Sequence, residues 1–213
     1  MKITNEDNMQ LMARYEDNHF DLAIVDPPYG IGFSDYQRSG DKLKERYTKN
    51  GKKKWDDNPP QKEYFDELFR VSKNQIIWGG NYFDLPPTQC FVFWDKMATV
   101  TNFADGELAW TSFAKVARKF KYAWNGLSDG IVGRNKKIKS IHPTQKPIQL
   151  YEWLLDNYAK EGDKILDTHL GSGSIAIACH NRKFDLTACE LDTEYYTKAM
   201  ERIEQHKKQL TLF

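Results

Sequence analysis

Asp26-Pro27-Pro28-Tyr29 brings an acceptor carboxylate, a stiffened backbone and an aromatic ring together within four consecutive residues. Each proline locks φ near −65°, so the carbonyls here point in set directions without other contacts to hold them. A planar heterocycle could stack on Tyr29 while its exocyclic amine donates to Asp26 and to the Pro27 carbonyl. These residue types suit chemistry at an NH2 group on a ring.

A second constellation lies near the other end of the chain. Asp167-Thr168-His169-Leu170-Gly171-Ser172-Gly173-Ser174 follows the apolar Ile165-Leu166 and precedes a helical pattern. Glycines let a backbone approach a ligand closely, and a helix start offers free N–H groups. Glu190 stands at the end of the next strand pattern, where a carboxylate can accept hydrogen bonds from ribose hydroxyls. Gly171, Gly173 and Ala176 also satisfy the dinucleotide spacing, so this motif alone does not separate a nicotinamide cofactor from other adenosine cofactors.

These groups need elements to carry them. Leu22-Ala23-Ile24-Val25, ending at two prolines, reads as a buried parallel strand. Further strands are expected at Lys2–Thr4, Gln75–Trp78, Cys90–Trp94, Lys164–Leu166 and Asp185–Cys189, with Glu107–Trp110 as an edge or antiparallel strand. Helices are expected through Met9–Met12, Gln61–Val71, Pro147–Ala159, Ser174–Asn181 and Glu194–Gln209. The alternation implies an α/β fold with a mostly parallel, doubly wound sheet. Residues 33–58 read as a polar, basic, mobile loop, and 115–139 as a basic stretch with scattered aromatics. Asn58-Pro59-Pro60 reads as a helix-entry turn, since no apolar strand precedes it and Gln61, not an aromatic, follows.

With 213 residues, 40% apolar and 29% charged, the chain suits one sizeable core and a single domain, 1–213. No apolar run approaches the roughly 18 residues of a bilayer span, and Met1–Asp7 lacks a signal core. A cytoplasmic location is expected. Cys90, Cys179 and Cys189 show no metal-type spacing, so reduced thiols and no metal site are expected. The net charge of +1 conceals an asymmetry. Segments 42–54 and 115–139 carry net +6 and +7, which leaves an acidic remainder. Two cationic segments on an acidic body point to a polyanion held at defined places.

The order of the parts, with the Asp26 segment first and the glycine turn last, resembles the β-class amino-methyltransferases of DNA. Asp26-Pro27-Pro28-Tyr29 is similar to that family's catalytic motif, Asp167–Ser174 to its cofactor loop, and Glu190 to its ribose-binding acid. Asp7 resembles its contact to the cofactor adenine. His142-Pro143-Thr144-Gln145-Lys146-Pro147 resembles the segment beside the methionine part of S-adenosylmethionine, with Lys146 facing the cofactor carboxylate. Ile77–Phe83, Trp94–Lys96 and Glu107–Trp110 resemble its intervening motifs.

The resemblance implies a circularly permuted, Rossmann-like S-adenosylmethionine-dependent methyltransferase fold. It implies methyl transfer to adenine N6 in DNA, with the target base flipped out. Cytosine N4, an RNA substrate, and an inactive DNA-binding module of the same fold are the alternatives. Asp26, Pro27, Pro28 and Tyr29 are the implied catalytic residues. Asp7, Lys146, Asp167, His169, Gly171, Ser172, Gly173 and Glu190 are the implied cofactor residues. Arg38, Lys42, Lys44, Arg46, Lys52, Lys53, Lys54, Arg118, Lys119, Arg134, Lys136 and Lys137 are candidate DNA contacts. A homodimer, a separately acting restriction nuclease, and a bacterial or phage-infected host cell are the implied company and setting. Two departures stand out. His169 takes a place usually held by Phe or another apolar residue, and the target-recognition insert, about 111–141, is short.

Overall fold

The computed structural model describes residues 1–31, 58–97, 104–124, 129–130, 140–142 and 144–210. Its centre is an eight-stranded sheet in the order β1-β10-β9-β2-β3-β5-β4-β6. The strands are β1 (Lys2–Asn5), β2 (Leu22–Val25), β3 (Gln75–Trp78), β4 (Phe91–Asp95), β5 (Gly106–Thr111), β6 (Arg118–Lys121), β9 (Lys164–Asp167) and β10 (Asp185–Glu190). A small ribbon pairs β7 (Ala123–Trp124) with β8 (Asp129–Gly130). The first five strands of the sheet order run parallel, β5 runs against both its neighbours, and β6 is parallel to β4. β1 and β2 follow one another in the chain but are not neighbours. β10 and β9, from its far end, lie between them, which is the permuted order the motifs imply.

Period-two alternation divides each strand between two cores. Leu22 and Ile24 of β2, with Ile76 and Trp78 of β3, face one cluster; Ala23, Val25 and Ile77 face the other. Helices α3 (Ile148–Tyr158), α4 (Ser174–Arg182) and α5 (Thr193–Leu210) contribute Leu150, Leu154, Ile175 and Ile203 to the first. Helices α1 (Asn8–Met12) and α2 (Lys62–Val71) contribute Leu11, Met12, Tyr64, Phe65, Leu68 and Val71 to the second. In α2 these last four recur at i, i+1, i+4 and i+7, one helical stripe. Helices therefore cover both faces, as a doubly wound sheet requires.

The Glu107–Trp110 segment is antiparallel, one of the two arrangements expected, and interior, because β4 pairs with its outer side. One expectation needs correcting. The basic stretch 115–139 carries a strand of the main sheet, β6, at the edge beside β4. Its period-two pattern is masked because three of its four residues are cationic. Phe120 alone supplies apolar contact, meeting Trp153 with ring centroids 5.4 Å apart. Cationic side chains on an edge strand discourage pairing with another sheet. Among the described residues no helix is long and apolar enough to cross a membrane.

Candidate active site

β9 and β2 are adjacent and parallel, with Leu22 opposite Ile165 and Ala23 opposite Leu166. From β9 the chain proceeds through α4 to β10 on one side; from β2 it proceeds through α2 to β3 on the other. The crevice at their carboxyl ends is thus a topological switch point, where open α/β sheets bind ligands. Both constellations read from the sequence open into it.

On the β2 side, Asp26 ends the strand, and Pro27, without an N–H, cannot extend the ladder. The Tyr29 hydroxyl donates to Asp26 Oδ1 at 2.8 Å. The Tyr29 ring stacks on Tyr82, with centroids 5.1 Å apart and planes 17° apart. The turn after β3 fits closely beneath it. Gly79 has φ +68°, and a Cβ there would lie 2.2 Å from Tyr29 Cε1. Asn58-Pro59-Pro60 precedes α2 as the helix-entry turn. Pro59 closes on the same loop, since a Cβ on Gly30 would lie 2.5 Å from its Cδ.

On the β9 side, Gly171 and Gly173 have φ +52° and +72°, values glycine adopts without steric penalty. Glu190 Oε2 accepts the Gly171 N–H at 2.8 Å and Oε1 the Asp192 N–H at 2.9 Å. Burial raises the Glu190 carboxyl above its usual range, against the pull of those amides. Arg202 of α5 steadies the turn, donating to the Ser172 carbonyl at 2.7 Å and to Ser174 Oγ at 3.0 Å. Asp167 is buried and accepts the His169 N–H at 2.9 Å. Desolvation pushes its carboxyl up to about 8, and the negative charges of Asp26 and Glu190 add to the effect.

Lys146 joins the two sides. Its carbonyl accepts the Ser174 hydroxyl at 2.7 Å, and its ammonium lies 2.5 Å from Asp26 Oδ2 and 3.1 Å from Glu107 Oε2. Glu107 Oε1 in turn pairs with Lys96 Nζ at 2.5 Å. The Lys146 side chain is only 3% exposed and sits 5.4 Å from the centre of the Trp78 ring. Burial alone would lower the Lys146 ammonium, but Asp26 and Glu107 raise it above its ordinary value. Burial raises the Asp26 carboxyl, with Lys146 opposing and Glu107 adding to the rise. Glu107 also feels burial, yet Lys146 and Lys96 overcome it and hold the group down at about 2.

The family model of the DNA methylases, N6_N4_Mtase, matches residues 110–201, a span that includes Lys146, the glycine turn and Glu190. Type II methyltransferase M.HpaI of Haemophilus parainfluenzae is 24% identical over 92% of this chain and 72% of its own length. A crystal structure of the M1.HpyAVI–SAM complex superposes with TM-score 0.58 at 18% identity, covering 94% of this chain and 98% of that one. PvuII DNA methyltransferase, described as cytosine-N4-specific, also gives TM-score 0.58, at 11% identity, covering 97% of this chain and 91% of its own. The two structural likenesses establish the fold, a Rossmann-like one shared with DNA methyltransferases.

In this fold the Asp26–Tyr29 segment and the glycine turn read from the sequence converge on one crevice. Asp7 is placed as the N-cap of α1, its Oδ1 accepting the N–H groups of Met9 and Gln10. His169 packs edge-on to Tyr64 and is hydrogen-bonded at both ring nitrogens, by Asn8 at 3.1 Å and with Thr168 at 2.9 Å. Burial lowers its imidazole to about 4, so the ring is neutral at ordinary pH. His142 meets the Tyr195 ring at 4.4 Å, and its Nδ1 accepts the Thr144 N–H.

Arg118 and Lys119 lie on β6, at the far edge of the sheet from β9. Arg38, Lys42, Lys44, Arg46, Lys52, Lys53, Lys54, Arg134, Lys136 and Lys137 lie outside the described residues. A recess of about 430 Å³ between Trp110, Pro86, Gln75 and Ser112 opens at the opposite end of the strands and takes no part in the crevice. The sequence placed Gly79, Lys96 and Glu107 within intervening motifs without an individual role, and did not single out Arg202. A charged residue inside an apolar strand was the available signal for Glu107.

Proposed function

We propose that this protein transfers a methyl group from S-adenosylmethionine to the exocyclic amine of a base in DNA, adenine N6 in the first instance. The observation that carries the reading is the meeting of Asp26-Pro27-Pro28-Tyr29 with the glycine turn at the β9/β2 switch point, bridged by Lys146. The residues present suit an adenosine-bearing donor. Gly171 and Gly173 hold the turn in the left-handed region that glycine adopts freely, with φ +52° and +72°, so the backbone itself can line a ligand. Glu190 offers a carboxylate at the strand end for ribose hydroxyls. S-adenosylmethionine supplies an electrophilic methyl group on a sulfonium.

The chain's own residues act on the acceptor. An aminopurine nitrogen is a weak nucleophile because its lone pair is delocalised into the ring. Asp26 and the Pro27 carbonyl, accepting its two N–H bonds, favour a localised lone pair aimed away from both. Those hydrogen bonds strengthen as positive charge grows on nitrogen, so they stabilise the transition state beyond the ground state. Tyr29 and its stacked neighbour Tyr82 present aromatic surface to a base withdrawn from the duplex, offsetting an extrusion cost of a few kcal/mol. The nitrogen's proton passes to water after transfer.

Aspartate at the head of the motif favours adenine. Cytosine N4 is the second reading, motivated by the fold shared with the cytosine-N4-specific PvuII enzyme. The two cationic segments favour DNA as the polyanion. Sequencing DNA from an expressing host tests the reading: N6-methyladenine in a fixed context is expected, N4-methylcytosine would shift the base assignment, and unmodified DNA would reject it.

A further inference from the structure

The Asp26–Lys146–Glu107–Lys96 string gathers four charged side chains from four separate segments: the end of β2, the segment before α3, the strand β5, and the residue after β4. The Lys146 side chain is 3% exposed, and those of Lys96, Asp26 and Glu107 are 18–23% exposed. Burying so many charges is an unpromising route to stability, because well-packed apolar residues of similar size commonly do as well or better. Charge clusters of this kind gather where chemistry needs them. Lys146 alone, 2.5 Å from Asp26, would neutralise the carboxylate that must accept the amine hydrogens. Glu107 stands on the other side of the same ammonium at 3.1 Å. Lys146 is thus shared between two carboxylates and does not neutralise Asp26 alone, while Lys96 balances the charge of Glu107. Lys96 fixes the far oxygen of Glu107 and stacks over Trp94 at 5.1 Å, which holds that carboxylate in place.

We propose that Glu107 is a positioning residue for methyl transfer: by sharing Lys146 it divides that ammonium's charge between two carboxylates and leaves Asp26 a strong acceptor for the amine. The inference rests on the methyl-transfer reading. It differs from the expectation that Lys146 serves the donor's carboxylate, because Glu107 and Asp26 then govern turnover, not donor affinity.

The test measures tritium transfer from labelled S-adenosylmethionine to unmethylated genomic DNA by the wild type, E107Q and the charge-balanced E107Q/K96M. Donor affinity is measured by calorimetry on the same proteins. The double variant removes one buried charge of each sign, which separates a loss of fold from a loss of positioning. Both variants are expected to lose about 10- to 100-fold in kcat, as for a misplaced catalytic group, with donor Kd within about twofold of wild type. Wild-type kcat in either variant overturns the inference, as does a loss confined to donor Kd. Wild-type protein that labels no DNA overturns the methyl-transfer reading itself and the inference with it.

Discussion

At the scale of single residues, Asp167 and His169 make opposite demands on pH. His169 sits at about 4 in the folded chain against an ordinary 6.5, so the unfolded chain binds the extra proton in between. Stability is therefore complete above 6.5 and falls as pH drops towards 4, by on the order of 3 kcal/mol. His169→Phe keeps the ring packing and removes that fall, so its Tm should decline less than that of the wild type between pH 6.5 and 4. Asp167 behaves in the reverse sense. Its folded value of about 8 lies above the ordinary 3.8, so its contribution is full below 3.8 and is lost as pH rises to 8. Asp167→Asn can still accept the His169 N–H, and its Tm should be flatter than wild type over that window. Thermal melts of the donor-free proteins across pH 4–8 check both. Neither behaviour could be read from the sequence, because each depends on desolvation by elements remote in the chain. The family resemblance marked His169 as the odd residue, but only Asn8, Tyr64 and Thr168 show how a polar ring is satisfied there.

At the scale of elements, apolar runs and helical stripes located the main strands and helices, and the strand-ending prolines marked where β2 opens into the site. The fit of the turn after β3 against Tyr29 was not legible, because Gly79 and Tyr29 meet only once β2 and β3 pair. That fit makes a controlled comparison. Gly162 has φ +87° with nothing within 4 Å of a Cβ, whereas Gly79 has φ +68° with Tyr29 at 2.2 Å. Gly162→Ala should cost only the left-handed backbone penalty, roughly 1–2 kcal/mol. Gly79→Ala should cost more and also displace Tyr29, lowering kcat, whereas Gly162→Ala should not. Denaturant titration and methyl-transfer kinetics on the two variants measure the difference. The strand β6 also escaped sequence reading, since three cations in four residues conceal its alternation and only pairing with β4 reveals it.

At the scale of the whole molecule, the order of the motifs carried more information than any one of them. A glycine turn alone leaves the cofactor open, and a proline-ended strand alone is a loop. The motif order implied the permutation, and the fold carries it out by threading β9 and β10 between β1 and β2, which brings residues more than a hundred positions apart into one crevice. Lys146, read as a cofactor residue, touches both halves and pairs with Asp26. Methyl transfer through that crevice is tested most directly by tritiated S-adenosylmethionine, unmethylated DNA and nucleoside analysis of the product, comparing wild type with Asp26→Ala. The expected result is label in N6-methyladenine from the wild type and a loss of at least about 100-fold in Asp26→Ala, with donor binding retained. Equal labelling by the two proteins, or no label in any nucleic acid from the wild type, would contradict it.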